Sequence, residues 1–178
     1  VTLQNTVTIS AGDENGHVSL SANKQNIDGV IPNNQYIKDF FDFNAGKKLG
    51  RFTINGTIRY TTDKTNRATN NTYFNLSQGA TNINVEDFSS GNNYDNWTLY
   101  ADSPYWSMNN QRTNINSNTF DGSSDIQYSL NSNINFVLRS SVRLREGSTM
   151  QYTNEFEDLL VLAGTNRSIR SRYDKSVS

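Results

Sequence analysis

With 178 residues the chain is the size of one domain, and it holds no cysteine, so disulfides, thiolate metal sites and cysteine catalysis are excluded. Charged residues make up 19% of it, below the roughly one quarter usual for globular domains, and a net charge of −1 gives no long-range steering toward nucleic acid. Polarity is carried instead by 27 Asn, 20 Ser and 17 Thr, the residues of turns and of wetted strand faces, which suits an extracellular or structural setting.

Period-two alternation dominates from the first residues. Val1, Leu3, Val7 and Ile9 share a face, and Asn15-Gly16 precedes Val18 and Leu20, so 1–10 and 17–22 are expected to pair as a hairpin. The stretch 34–43 sets Tyr36, Ile37, Phe40 and Phe41 at helical spacing; a short helix, a strand and a loop all fit it. "RFTINGTIRY" is the clearest strand: Phe52, Ile54, Ile58 and Tyr60 point one way, Thr53, Asn55, Thr57 and Arg59 the other. Gly56 falls on the apolar side and suggests a bulge or a close backbone approach.

Both tryptophans lie within 82–106. Alternation puts Trp97 beside Leu99, a core pairing, with Thr98 and Tyr100 on the other face; Tyr94, Tyr100, Tyr105 and Trp106 are the candidates for exposure. Farther on, Ile126, Tyr128 and Leu130 align, as do Ile134, Phe136 and Leu138 and then Val142 and Leu144, with Arg143 and Arg145 opposite. Leu159 to Ala163 is a continuous apolar run, and 165–178 is basic, a C-terminal tail or a late strand. Many short strands at roughly ten-residue intervals with polar turns predict an all-β fold, a single-domain antiparallel β-sandwich (Ig-like or jelly-roll-like) over 1–164. Its expected core is Phe52, Ile54, Ile58, Trp97, Leu99, Phe136 and Leu138.

Chemistry-bearing patterns are sparse. The single histidine, His17, follows a turn, and no Gly-x-Ser-x-Gly or phosphate loop occurs. The carboxylates at Asp13 and Glu14, and at Glu155, Glu157 and Asp158, match no calcium loop and read as solvated edges. The expectation is a non-enzyme with no catalytic residue, metal or cofactor. The arginines of the last quarter, Arg139, Arg143, Arg145, Arg167, Arg170 and Arg172, either meet an anionic polymer or keep a sheet edge soluble. No apolar run nears the roughly 20 residues of a membrane helix, so no membrane span is expected, and the net charge of −1 leaves no nucleic-acid partner expected.

"FFDFNAGK" (40–47), Ile58 to Thr62, "VEDFSSGNNYDNWTL" (85–99), "TFDGSSDIQYSL" (119–130) and "MQYTNEFEDLLVL" (150–162) follow an order that resembles the WxL domain, a cell-wall-binding module of Gram-positive surface proteins. Leu160-Val161-Leu162 stands where that family has its second Trp-x-Leu. The resemblance implies a secreted sandwich held non-covalently on peptidoglycan, with cell-wall polymer as partner. Tyr100, Tyr105 and Trp106 are then the candidates for stacking on sugar rings. The alternative is a pilin, fibre or virion subunit whose partners are copies of itself, assembled by exchange of a terminal strand.

Overall fold

The computed structural model describes residues 1–69, 71–89, 97, 103–154 and 168–177. Seven antiparallel strands form one sheet in chain order: β1 (Thr2–Asp13), β2 (Gly16–Asp28), β3 (Gln35–Leu49), β4 (Phe52–Ala68), β5 (Gln111–Ser129), β6 (Asn135–Thr153) and β7 (Ser168–Val177). Between β4 and β5 lie α1 (Asn71–Ser77), a 3-10 turn (Val85–Phe88) and α2 (Pro104–Asn110).

The connections explain the order. β1 and β2 are joined through Glu14-Asn15 and β3 and β4 through Gly50-Arg51, so each strand must lie beside its predecessor. Gly50 has φ +60°, the left-handed region that glycine enters without steric cost. Asn15 N–H donates to Asp13 Oδ1 at 2.9 Å, an Asx turn that pins the first hairpin. The expected 1–10 with 17–22 pairing is present, with Asp13 opposite Gly16 and Val7 opposite Ala22.

The stretch 34–43 is strand. Neighbours on both sides, Asn26 and Lys64 flanking Ile37, give its backbone the hydrogen bonds that a lone helical turn would have lacked. Ser168–Val177, in the basic C-terminal stretch, pairs with β6 as a late strand. The architecture is all-β, but no second sheet is present among the described residues.

Because directly opposed residues share a face, the register sorts every side chain. One row runs Val7, Ala22, Phe41, Tyr60, Phe120, Leu144, Val177, and the next Ile9, Leu20, Phe43, Ile58, Gly122, Val142. Toward the tight turns the same face carries Lys47, Ile54, Ile126 and Leu138, then Leu49, Phe52, Tyr128 and Phe136. On the opposite face the row is Thr8, Ser21, Asp42, Arg59, Asp121, Arg143.

The burial is the reverse of that expected from the sequence. Phe52, Ile54, Ile58, Phe136 and Leu138, expected in the core, are exposed, Leu138 by 64%. Asn23, Asp42, Thr61 and Ser117, all on the polar face, are buried. The strands pack only laterally, and no described layer covers the apolar face. The polar face, which holds these buried side chains, is the inner face, and the apolar face the outer. Leu99 lies outside the described residues. The buried apolar side chains, among the described residues, are Ala68, Trp97, Trp106 and Met108, gathered at the end of the sheet that carries the long connections.

Candidate functional site

Three features are candidates for function: an apolar outer band, a polar inner face, and a cap at the long-loop end.

The band repeats on three adjacent strands. Outward residues run from Phe52 to Tyr60 on β4, from Tyr128 to Phe120 on β5 and from Phe136 to Leu144 on β6, directly in register. Each run covers nine residues, about 27 Å of strand at roughly 3.4 Å per residue. Aromatic rings mark both limits: Tyr60 and Phe120 at one end, Phe52, Tyr128 and Phe136 at the other, with Phe52 and Tyr128 centroids 4.7 Å apart. Two hydroxyls sit midway, on Ser124 and Ser140, and they bond each other with an Oγ–Oγ distance of 2.7 Å. Beyond Tyr60 and Phe120 the same face turns polar, through Asn5, Lys24, Asp39, Thr62, Asn118, Glu146 and Lys175.

The inner face is a ladder of opposite charges. Arg59 Nε donates to Asp42 Oδ2 at 2.6 Å, Arg139 Nε to Asp125 Oδ2 at 2.7 Å, and Arg143 Nε to Asp121 Oδ1. In each pair the carboxylate lies closer to the wall and the guanidinium projects: the Asp42 side chain is 8% exposed and that of Arg59 53%. Toward the long loops Tyr36 donates to Asp63 Oδ1 at 2.6 Å. Burial, reinforced by that carboxylate, pushes the Tyr36 phenol up to about 12. On the apolar face, at the tight-turn end of β1 and β3, Asn15 N–H and the ammonium of Lys47 hold the Asp13 carboxyl below its usual range, so this acidic site is a hairpin clasp.

The cap is built on one arginine and two tryptophans. Arg112, 3% exposed at the start of β5, donates to Met108 O of α2 at 2.8 Å, to Asn66 Oδ1 of β4 and to Asn33 O of the 29–34 loop. It ties three chain segments together, and its burial lowers its affinity for the proton. Trp97 Nε1 donates to Asn75 O at 3.0 Å, and its ring meets Phe88 edge-on at 5.2 Å. Gly79 lies so close under the Trp97 six-membered ring that a methyl group there would collide with it. Asn75 Nδ2 in turn donates to Ser107 Oγ at 2.6 Å.

The sugar-stacking residues fall differently from expectation. Trp106 is 3% exposed, so its indole is packed under the cap rather than open to a sugar ring. Tyr105 beside it is half-buried, and Tyr100 lies outside the described residues. Pro104 at the first turn of α2 turns this segment into a helix and rotates Trp106 inward. Trp97 is buried as expected, although inside the cap and not between two sheets. His17 is exposed at the start of β2, and Glu155, Glu157 and Asp158 lie outside the described residues. Among the described residues no three His, Asp or Glu side chains gather as metal ligands.

No protein-family model matches the chain, and no curated protein matches it.

Proposed function

We propose that this sheet is part of the wall of a transmembrane β-barrel, a non-catalytic surface protein of an outer-membrane-type bilayer, with its apolar face against lipid and its polar face toward an aqueous interior. The observation that carries the reading is the inverted burial: the apolar rows are exposed, while the buried residues of the strands' middle, Asn23, Asp42, Thr61 and Ser117, belong to the polar face. In water the exposed band alone, from Val7 and Ile9 to Leu138 and Val142, presents apolar surface on the order of 1,000 Å², beyond the few hundred Å² that soluble monomers tolerate. Lipid removes that cost, while the antiparallel ladder leaves no backbone group of the inner strands unpaired.

Three dimensions support lipid as the cover. Nine-residue outward runs match the roughly 9–11 residues of a tilted membrane strand, and about 27 Å of strand at a tilt near 40° gives ~20 Å of height. Aromatic side chains at both limits fit the two interfaces. The connections at one end are short (14–15, 50–51 and 130–134), and two of the three at the other are long (69–110 and 154–167, beside 29–34), the asymmetry of a barrel wall. No helix among the described residues is long and apolar enough to cross a membrane; the strands do the crossing in this reading. β1 and β7 each leave one edge unpaired among the described residues, so in this reading a closed wall requires strands besides these seven.

The cell-wall reading keeps its surface location but needs another cover for the apolar band. In the self-assembly reading a second copy supplies it, apolar face to apolar face, and the sandwich then spans two chains. Reconstitution separates these readings. The barrel-wall reading expects sheet structure to form in phospholipid vesicles and the protein to aggregate in plain buffer. A stable, monodisperse monomer or dimer without lipid or detergent would overturn it, and the dimer would favour self-assembly.

A further inference from the structure

We propose that the polar face carries a binding site for a small anionic solute, centred on Arg139 and Arg143. This deepens the barrel-wall reading, since it takes the polar face to be open to water.

The argument starts from the pairing. Arg139 and Arg143 each use Nε on a carboxylate, so both Nη amino groups of each guanidinium have no protein acceptor among the described residues. The side chains are 79% and 64% exposed. Their acids, Asp125 and Asp121, stand behind them on β5 and fix their direction without closing the outward edge. A guanidinium held this way offers planar, always-charged donors to phosphate, sulfate or carboxylate oxygens.

Their placement forms a site. On β6 the inward positions read Arg139, Ser141, Arg143, Arg145, so the two open guanidiniums are four residues, or roughly 14 Å, apart at their backbones, with a hydroxyl between them. Two adjoining depressions, about 390 and 580 Å³, share Thr57, Ser123 and Ser141; the first is lined by Arg139 with its partner Asp125, the second by Arg59 and by Arg143 with its partner Asp121. Volumes of this size suit a small molecule. The hydroxyls on their floor match a polyhydroxy remainder, which points to a sugar-sized anion. An acidic protein segment is the poorer fit, because the core of a protein interface is apolar, and these rows offer hydroxyls and charges with Phe40, beside Arg59, as the aromatic exception.

The test is titration of the full chain in detergent or vesicles with inorganic phosphate, glucose 6-phosphate and glucose at fixed ionic strength. Both phosphates are expected to bind and glucose not to. Arg139→Gln with Arg143→Gln should weaken binding tenfold or more, while Arg51→Gln, at the β3–β4 turn, should leave it unchanged. Equal affinity in the double variant and the parent would overturn the site, as would equal loss with Arg51→Gln. A poly-glutamate peptide binding a hundredfold tighter than glucose 6-phosphate would overturn the small-solute assignment. A nitroxide at position 142, read in the same samples, separates the two ideas. Lipid contact retained without phosphate binding sinks this inference alone, whereas phosphate binding without lipid contact sinks the barrel wall.

Discussion

Ser140 and Ser141 are adjacent, exposed residues of β6 whose side chains point to opposite faces. Replacing each in turn by arginine therefore changes one thing, the medium that receives the charge. Ser140 stands four residues from Phe136 and four from Leu144, the limits of the outward run, so about 14 Å of strand separates it from each and roughly 10 Å of height at a tilt near 40°. That is the middle of the apolar band. An arginine on the lipid face at this depth costs about 2–4 kcal/mol, falling to roughly 0–1 near the interfaces. Loss of the exposed Ser124–Ser140 hydrogen bond adds no more than about 1 kcal/mol. Ser141→Arg faces water and should stay within about 0.5 kcal/mol of the parent, as exposed substitutions do. Guanidinium unfolding in phospholipid vesicles measures both. The reasoning is refuted if the two variants differ by less than about 1 kcal/mol, because a sheet wet on both faces would treat them alike.

Arg112→Met should destabilise the cap by roughly 3 kcal/mol, since the carbonyls of Met108 and Asn33 and the Asn66 amide lose their donor inside the structure; tryptophan fluorescence during unfolding reports it, and an unchanged midpoint would contradict the three-segment tie. Gly79→Ala should displace the Trp97 ring, costing about 1–3 kcal/mol and shifting emission to the red, whereas an unshifted spectrum would mean the ring is not seated there. Tyr36 gives the pH dependence. Its folded pKa is raised, so the stability it contributes is present below pH 10 and lost between 10 and about 12, as the unfolded phenol ionises first. Tyr36→Phe should flatten the alkaline fall in stability, and parallel curves for the two proteins would show that the Asp63 bond does not govern the phenol.

Much of the strand plan was legible in the residues. The 1–10 and 17–22 hairpin, the alternation through Phe52–Tyr60 and 134–144, and the burial of Trp97 are all in the structure. Which face meets water was not legible, and the reason is physical. Period-two alternation separates two faces without naming their solvents, so Phe52, Ile54 and Ile58 write the same pattern in a soluble sandwich and in a barrel wall. The signal that distinguishes them lies in loop lengths and in register, where Asp42, Arg59, Asp121 and Arg143 come into one row only after four strands are paired. Trp106 is misplaced for a local reason: Pro104 reads as a loop residue in the sequence, whereas Ser103-Pro104 starts a helix that turns Trp106 inward. Arg112 gave no sign, because its partners lie 4, 46 and 79 residues away.

The absence of native cysteine makes one measurement especially direct: single cysteines placed in turn from Phe136 to Leu144, each carrying a nitroxide, with the protein in phospholipid vesicles. Accessibility to oxygen, which concentrates in lipid, is compared with accessibility to a water-soluble nickel chelate. The barrel-wall account predicts a period of two, with oxygen favoured at 136, 138, 140, 142 and 144, the chelate favoured at 137, 139, 141 and 143, and the oxygen preference greatest near 140. Uniform chelate access along the outward positions, or mutual shielding of those positions by a second copy of the chain, would contradict it.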